Sequence, residues 1–586
     1  MPPLTDKTKG RLEAAREQIA KLIQRDAKVK DETDLYNRLL KQARANEGLF
    51  EPCDAELPLH KQPQFMEAPG GFAPMPAALK QAATEQLEYH MFVGLFPEIH
   101  RAWLTIDHML FLWDYNHPSG SFYQYDGLEQ TIINAALVPC KPGVFAAEAT
   151  PRHLLLLSTP SEVVVLAVYP TGPAGAEDST IDIHETGFAV PSDGVNFVAM
   201  AHTPCGRVFM AGADGFLHEL QYGFSERWLG GSHRMCQKKN VSRKRDRAYN
   251  FVLSAFHECA DPIVQLEYDA ERNILYSLTA ASALGVYDLG EKGDSLRYVA
   301  SMDARAVHHA LRHSGAIAGD SKTLQRLDED IKAAERAPAA SRELSPAFVA
   351  LAPIPSTVSH LMQLELVSSS GVRVCVRVAP NTADGRRSHP AEIRPLFAVA
   401  PPRASDGRPL RCSRGAALVA GDTTLLAPSV EDAAGAVELL CVSELLAARG
   451  EDGKPASDAA SLTRLRLRGS LFAVAEEPRP GPPPLGSALA TQHSAALRSF
   501  VLLTSEGVQR VLKRRPLDPL LAAASPRSAA AQQLGLPSPA NDFFSFYGAD
   551  EACSMCLLAV LSPGADQPTA GVLAGWAQHH GGVVAG

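Results

Sequence analysis

Four groups of residues in this sequence have types and spacings that could do chemistry. Cys553-Ser-Met-Cys556 has the spacing of half a zinc site. Zinc takes four ligands, however, and no second pair follows. Cys553, Cys556, Leu557 and Val560 fall at i, i+3, i+4 and i+7, so one helical face accounts for both thiols as small core residues. His308-His309, His313 and His579-His580 cluster without an acid or cysteine at ligand spacing and read as loop and surface residues. Asp107, Asp114 and Asp126 could pair as acid and base in glycoside hydrolysis, although aspartates at turns and strand ends are common for conformational reasons. Gly-x-Ser-x-Gly, Gly-x-x-x-x-Gly-Lys-Ser/Thr, His-Glu-x-x-His and calcium-loop patterns do not occur. No catalytic, metal or cofactor residue is assigned, no cofactor is expected, and the chain reads as non-enzymatic.

The fourth group is Arg234–Phe256. Arg234, Lys238, Lys239, Arg243, Lys244, Arg245 and Arg247 stand against Asp246 alone, in a protein of net charge −9. Tyr249, Val252, Leu253 and Phe256 follow at i, i+3, i+4 and i+7, with Phe251 beside them. A basic stretch leading into a short amphipathic helix suits an anionic membrane surface, where each Lys or Arg contributes about 1 kcal/mol. Burying each large apolar side chain adds roughly 1.5–3 kcal/mol at most. The same pattern also fits a helix packed on its own domain, with the charges solvated or serving as a nuclear import signal. Both readings stand on the residues alone.

The elements that must position these residues change along the chain. At 586 residues it exceeds one ordinary core. Residues 5–46 read as helix, with Leu12, Ala15, Ile19, Leu22, Leu35, Tyr36, Leu39 and Leu40 on a narrow apolar face. From about residue 90, short apolar runs recur in pairs. Ala102–Asp107 and Leu110–Tyr115 are joined at Asp107-His108, and comparable pairs begin at Arg152, Gly206 and Arg272. Weaker copies lie at Met362–Val378, Gly415–Ala427 and Arg498–Leu512. One hairpin cannot bury its own apolar face, whereas blades in a ring cover one another, so seven such units predict a β-propeller.

The segments between the hairpins are distinct in composition. Ser225–Ala260 is a basic and aromatic insertion, and Asp320–Leu344 is charged with helical spacing. Arg387–Arg411, Glu476–Gly486 and residues 521–541 read as loops or linkers from their Pro, Gly, Ala and Ser content. A helical region starts near Asn541, with Asp550 as the expected N-cap and Pro563 as a stop, and the last ten residues read as unstructured. The expected class is mainly β: a charged helical, partly disordered arm over 1–48, a seven-bladed propeller over 49–515 and a linker over 516–540. The start of an α-helical solenoid and a disordered tail occupy 541–586. Ten dispersed cysteines, no apolar leader and no run of ~18 apolar residues read as a soluble intracellular chain.

Gly94–Tyr115, Tyr125-Asp-Gly-Leu128, Arg152–Tyr169, Asn273–Leu289 and Phe543–Leu558 resemble, in order and spacing, the large scaffold nucleoporins of the 155/170-kDa inner-ring class. The resemblance spans roughly Tyr36 to Leu561. It implies an N-terminal seven-bladed propeller, a C-terminal solenoid longer than the helices present here, and a place in the nuclear pore inner ring at the nuclear envelope. It implies a role as structural scaffold that anchors the pore and supports nucleocytoplasmic transport, including protein and mRNA transport. It also implies a membrane-contacting propeller loop, which falls on Arg234–Phe256. Implied partners are the small membrane-bending nucleoporin, linker nucleoporins, transmembrane nucleoporins and envelope lipid, with no direct nucleic acid. The alternatives from the residues are a propeller adaptor of a vesicle coat and a propeller glycoside hydrolase.

Overall fold

The computed structural model describes residues 34–45, 65–69, 71–85, 90–117, 122–145, 150–171, 180–226, 232–242, 261–316, 321–338, 345–380, 390–402, 409–428, 436–444, 460–480, 491–525, 539–561 and 567–581. Seven antiparallel sheets follow one another along the chain, six of four strands and one of five. We number these blades 1 to 7. The first is Met91–Phe96, Arg101–Ile106, Met109–Asp114 and Phe122–Tyr125, so the opening hairpin falls within one residue of its expected bounds. Asp107 takes φ 50 in its tight turn, a conformation that Asp tolerates better than most residues. In blade 1 Gly94 lies opposite Trp103, and a Cβ there would stand 2.5 Å from the indole, so only glycine leaves room for the ring.

Six of the seven sequence hairpins are the second and third strands of a blade. These central strands are covered on both faces, which makes their apolar runs continuous and visible. The copy at Gly415–Ala427 is instead the first two strands of blade 6, Ala417–Ala420 and Thr423–Leu426. Separate apolar clusters fill the junctions between blades 1 and 2, 2 and 3, 3 and 4, 6 and 7, and 7 and 1, while one large cluster joins blades 4, 5 and 6.

Blade 7 closes the ring. Its Leu471–Glu476, Arg498–Thr504 and Gly507–Lys513 are completed by two short segments from before blade 1, Met66–Glu67 and Phe72–Pro74, which both pair with Gly507–Lys513. Segments of two and three residues carry no legible alternation, so the sequence reading missed them.

Several expectations are corrected. The helix α1, Leu35–Ala45, lies where the periodicity put it, but Leu35, Leu39 and Leu40 are buried in the cluster of blades 4 to 6, so this part of the expected arm packs on the propeller. Pro390–Val399, inside a stretch read as loop, is the outer strand of blade 5, with Ile393, Phe397 and Val399 buried. Its prolines hid a strand that tolerates them because it lies at the sheet edge. Ser232–Asn240, read as part of a basic insertion, is the outer strand of blade 3.

The charged insertion holds a helix, α4 (Lys322–Arg336, capped by Ser321), as its spacing predicts, and a helix the sequence reading did not place, α3 (Ala304–His313, capped by Asp303), precedes it. The expected linker begins with a buried helix, α5 (Leu517–Ala524), numbered after a short α2 at Ala77–Glu85. Three further helices, α6 (Pro539–Tyr547), α7 (Ala549–Leu561) and α8 (Gln567–Gly581), pack with α5 and Phe65 around Phe543, Phe546, Tyr547 and Met555. Gly548, at φ 83, separates α6 from α7. Asp550 therefore sits inside the first turn of α7 rather than capping it, and α8 reaches into the tail that was read as unstructured. Cys553 and Cys556 are buried in this cluster.

Candidate functional site

The predicted membrane segment divides at Ser242. Arg234, Lys238 and Lys239 lie on the outer strand of blade 3, in register with Phe224, Leu220 and Glu219. Lys238 is a structural clamp. Its ammonium pairs with Asp193 at 2.9 Å, donates to the Ser192 carbonyl at 2.8 Å and lies over the Phe197 ring, leaving only 10 % of the side chain exposed. Lys238 thus ties the outer strand back to the turn that enters blade 3, which removes it from the lipid-facing set. Lys239 is exposed. Arg243, Lys244, Arg245, Arg247, Tyr249, Phe251, Val252, Leu253 and Phe256 lie outside the described residues.

Both stems of that segment are anchored. The Leu217 N–H donates to Ser242 Oγ at 2.7 Å and the Val241 N–H to the Leu217 carbonyl, while Asp261 accepts the Ala281 N–H at 2.9 Å. Ser242 follows the outer strand of blade 3 and Asp261 precedes the inner strand of blade 4, so both stems stand on the face where inner strands begin. At the other end of the same hairpin, opposite Arg234, Phe224 is 47 % exposed and meets Phe188 edge-on, a residue the sequence reading did not single out.

Of the three carboxylates considered for hydrolysis, Asp126 is exposed, and Asp107 and Asp114 have other partners. Asp107 accepts the His90 N–H at 3.1 Å, and its own carbonyl accepts the Ile132 N–H, which ties blade 1 to the start of blade 2. Asp114 is paired with Arg101 inside the blade. It lies at the far end of Met109–Asp114 from Asp107, and six residues of strand span roughly 20 Å. Two carboxyls of a glycosidase stand only about 5–9.5 Å apart. Among the described residues no group of three His, Cys, Asp or Glu side chains is placed to hold a metal, and no helix is long and apolar enough to cross a membrane.

Arg207, Arg272 and Arg498, each at the start of a hairpin, join neighbouring blades, whereas Arg101 pairs within its own. Arg207 pairs with Glu219 at 2.7 Å and donates to Gly293 and Ser295 of blade 4. Arg272 pairs with Asp269 and reaches the Ile354 carbonyl beyond the inner strand of blade 5. Arg498 of blade 7 pairs with Asp422 of blade 6 at 2.6 Å, donates to the Ala420 carbonyl, and holds Glu476 through two contacts at 2.8 and 2.9 Å. Lys513 completes the cluster at 2.7 Å from Asp422. Burial alone would raise the Asp422 carboxyl, but Lys513 and Arg498 override it and hold it below the usual range.

The ring seam between blades 7 and 1 carries a polar staple beside its apolar cluster. Glu477 accepts from Tyr115 OH at 3.1 Å and from Arg510, lies 3.2 Å from His100 Nδ1, and is 9 % exposed. Burial would raise its carboxyl, but hydrogen bonds from His100 and Arg510 outweigh that and lower it from 4.5 to about 2. A depressed carboxyl contributes stability above its unfolded value, and that stability is lost as pH falls through the folded value. Acid titration of the folded chain should therefore show loss of stability between pH 4.5 and about 2, and Glu477→Gln should flatten that part of the profile. An unchanged profile in the variant, followed by circular dichroism, refutes this role of the seam.

A family model described as Nup133 N terminal like, Nucleoporin_N, matches residues 65–438. The chain is 35 % identical over 206 residues to nuclear pore complex protein Nup154 of Drosophila melanogaster, covering 35 % of this chain and 14 % of that protein. It is 28 % identical over 518 residues to nucleoporin NUP170 of Chaetomium thermophilum, covering 81 % of this chain and 34 % of that protein. Against a probable nucleoporin of Schizosaccharomyces pombe it is 25 % identical over 514 residues, 79 % of this chain and 36 % of the relative. The chain thus spans little more than a third of the length of these relatives at most. The crystal structure of the Chaetomium thermophilum Nup170 NTD–Nup53 complex superposes with a TM-score of 0.67 at 22 % identity, covering 92 % of this chain and 75 % of that one, and shows the same fold.

Proposed function

The chain belongs to the Nup133 N-terminal-like nucleoporin family, as the N-terminal region of a 155/170-kDa-class member, and from that premise we propose that it is a non-enzymatic scaffold subunit of the nuclear pore inner ring. In this reading it resides at the nuclear pore in the nuclear envelope, anchors the pore there and supports nucleocytoplasmic transport. The observation that carries the proposal is the family match over 65–438 on a propeller closed by its own N-terminal segments. A ring joined by polar staples at its seams and apolar clusters between blades suits a part that transmits load. Asp107 and Asp114 are committed to turn and pairing contacts, which disfavours the hydrolase alternative.

Linker nucleoporins are proposed partners, in keeping with the Nup53 complex of the structural relative, together with the small membrane-bending and transmembrane nucleoporins. Membrane contact is assigned to Lys239, Arg243, Lys244, Arg245 and Arg247 for attraction, and to Tyr249, Phe251, Val252, Leu253 and Phe256 for insertion. Both stems of the 243–256 segment stand on one face of the ring, so many copies in an assembly would address one membrane surface together and gain by avidity. Fluorescent tagging of the protein at its own locus should give a punctate nuclear rim. Cytoplasmic vesicle staining would instead support the coat-adaptor alternative.

A further inference from the structure

The opposite face of the ring, where inner strands end, holds a cavity of about 500 Å³ between blades 4 to 7 and the start of α1. Its apolar walls come from Leu351 and Pro353 of blade 5 and Leu418 and Val419 of blade 6. Most of its charged groups are already matched. Arg498 and Lys513 hold Asp422, and Arg498 and Arg479 hold Glu476. Arg514 pairs with Glu67 and Arg515 with Asp518, while Arg38 has a partner of its own. Asp34 accepts the N–H groups of Tyr36 and His360 and the Ser359 hydroxyl, and His360 lies exposed at the rim.

Glu267 differs from all of these. It comes from the inner strand of blade 4, and its Oε1 accepts from Gln265 Nε2 at 3.0 Å, while Gln265 itself is bonded to both the N–H and the carbonyl of Leu351. No cation pairs with Glu267 among the described residues, although the carboxyl borders a cavity deep in the ring. Glu267 is half-buried, and a carboxylate shielded in a cavity wall without a counter-ion favours its protonated form or the acquisition of a cation. The unmatched sign of the cavity is therefore negative. Its volume exceeds that of one side chain and lies in the range of sites that enclose most of a ligand.

We propose that this cavity receives a lysine or arginine side chain from an extended segment of a partner protein, with Glu267 as counter-ion and Leu351, Pro353 and Leu418 along the aliphatic stem. Long basic side chains bury their methylene stems against apolar surface while the charged head seeks a partner. The inference rests on the cavity alone and stands or falls separately from the scaffold reading.

Burial raises the Glu267 carboxyl to about 7, against a small opposing hydrogen bond from Gln265. A bound cation pairs with the ionised form, so binding releases a proton below that value and tightens as pH rises through it. Calorimetry with the full chain tests this, using acetyl-Ala-Lys-Ala-amide and its norleucine analogue as probes. The lysine peptide should bind at least about tenfold more tightly than the norleucine peptide at about pH 8, and weaken roughly tenfold by about pH 6. Glu267→Gln should erase both differences without lowering the melting temperature. Equal binding of the two peptides by the wild type, no binding of the lysine peptide at about 10 mM, or lysine affinity unchanged in folded Glu267→Gln would each overturn the proposal. Should that variant misfold, the norleucine comparison and the pH profile of the wild type decide it.

Discussion

Replacing Phe251, Leu253 and Phe256 together by Asp should abolish flotation of the protein with anionic liposomes at every salt concentration. Each apolar side chain transferred from water contributes roughly 1.5–3 kcal/mol, and each Asp adds repulsion from the anionic leaflet. Replacing Lys239, Arg243, Lys244 and Arg245 by Ser should weaken flotation mainly at low salt. Each basic residue contributes about 1 kcal/mol near such a surface, and the Debye length shortens from about 30 Å at 0.01 M to about 8 Å at physiological strength. Lys238 is left out because its ammonium is held by Asp193 and Ser192, so Lys238→Ser should lower stability and leave flotation unchanged. If the triple Asp variant unfolds the propeller, those side chains belong to the core and membrane contact by this segment is refuted.

Arg498→Met should destabilise the chain by about 3–5 kcal/mol, the usual cost of leaving a buried charge without its partner. Arg498 is the common donor to Asp422, Glu476 and the Ala420 carbonyl, so its loss strands two carboxylates at the junction of blades 6 and 7. Lys513 remains for Asp422 and Arg479 for Glu476, which places the expected loss at the lower end of that range. Adding Glu476→Gln to the variant should recover part of it, because one of the stranded charges is removed. Urea denaturation measures both. A loss below about 1 kcal/mol would mean that the cluster is solvated like an ordinary surface pair.

Much of the ring was legible because its signal is local. The central strands of a blade are short apolar runs ended by turn residues, and the Asp107-His108 turn marks the first hairpin to within a residue. Edge strands are less legible. Pro390–Val399 has one face toward its neighbour and one edge toward solvent, so it admits prolines that read as loop. Ser232–Asn240 carries charges that an edge strand accepts and a central strand does not, and the same charges suggested a solvated insertion. Met66–Glu67 and Phe72–Pro74 pair only because the ring brings Gly507–Lys513 beside them.

The candidate site was legible only in part. The basic stretch and the apolar period after it are patterns within one segment, and sequence alone identifies them as a unit with a charge and a greasy face. Which of its charges is available is a different kind of fact. Lys238 meets Asp193 through a turn between blades, and nothing in the spacing of the basic residues separates it from Lys239.

Sequence by itself determined the repeating hairpin, the number of blades and the family, because strand alternation, turn chemistry and residue order are properties of neighbours along the chain. Tertiary structure alone decided which basic residues are staples and which are surface, and that Glu267 lines a cavity with no counter-ion among the described residues. Charge pairing acts over a few ångströms of space, and the partners lie far apart in sequence: Arg498 and Asp422 are 76 residues apart, and Tyr115 and Glu477 are 362. Only closure of the ring brings such groups within reach of one another.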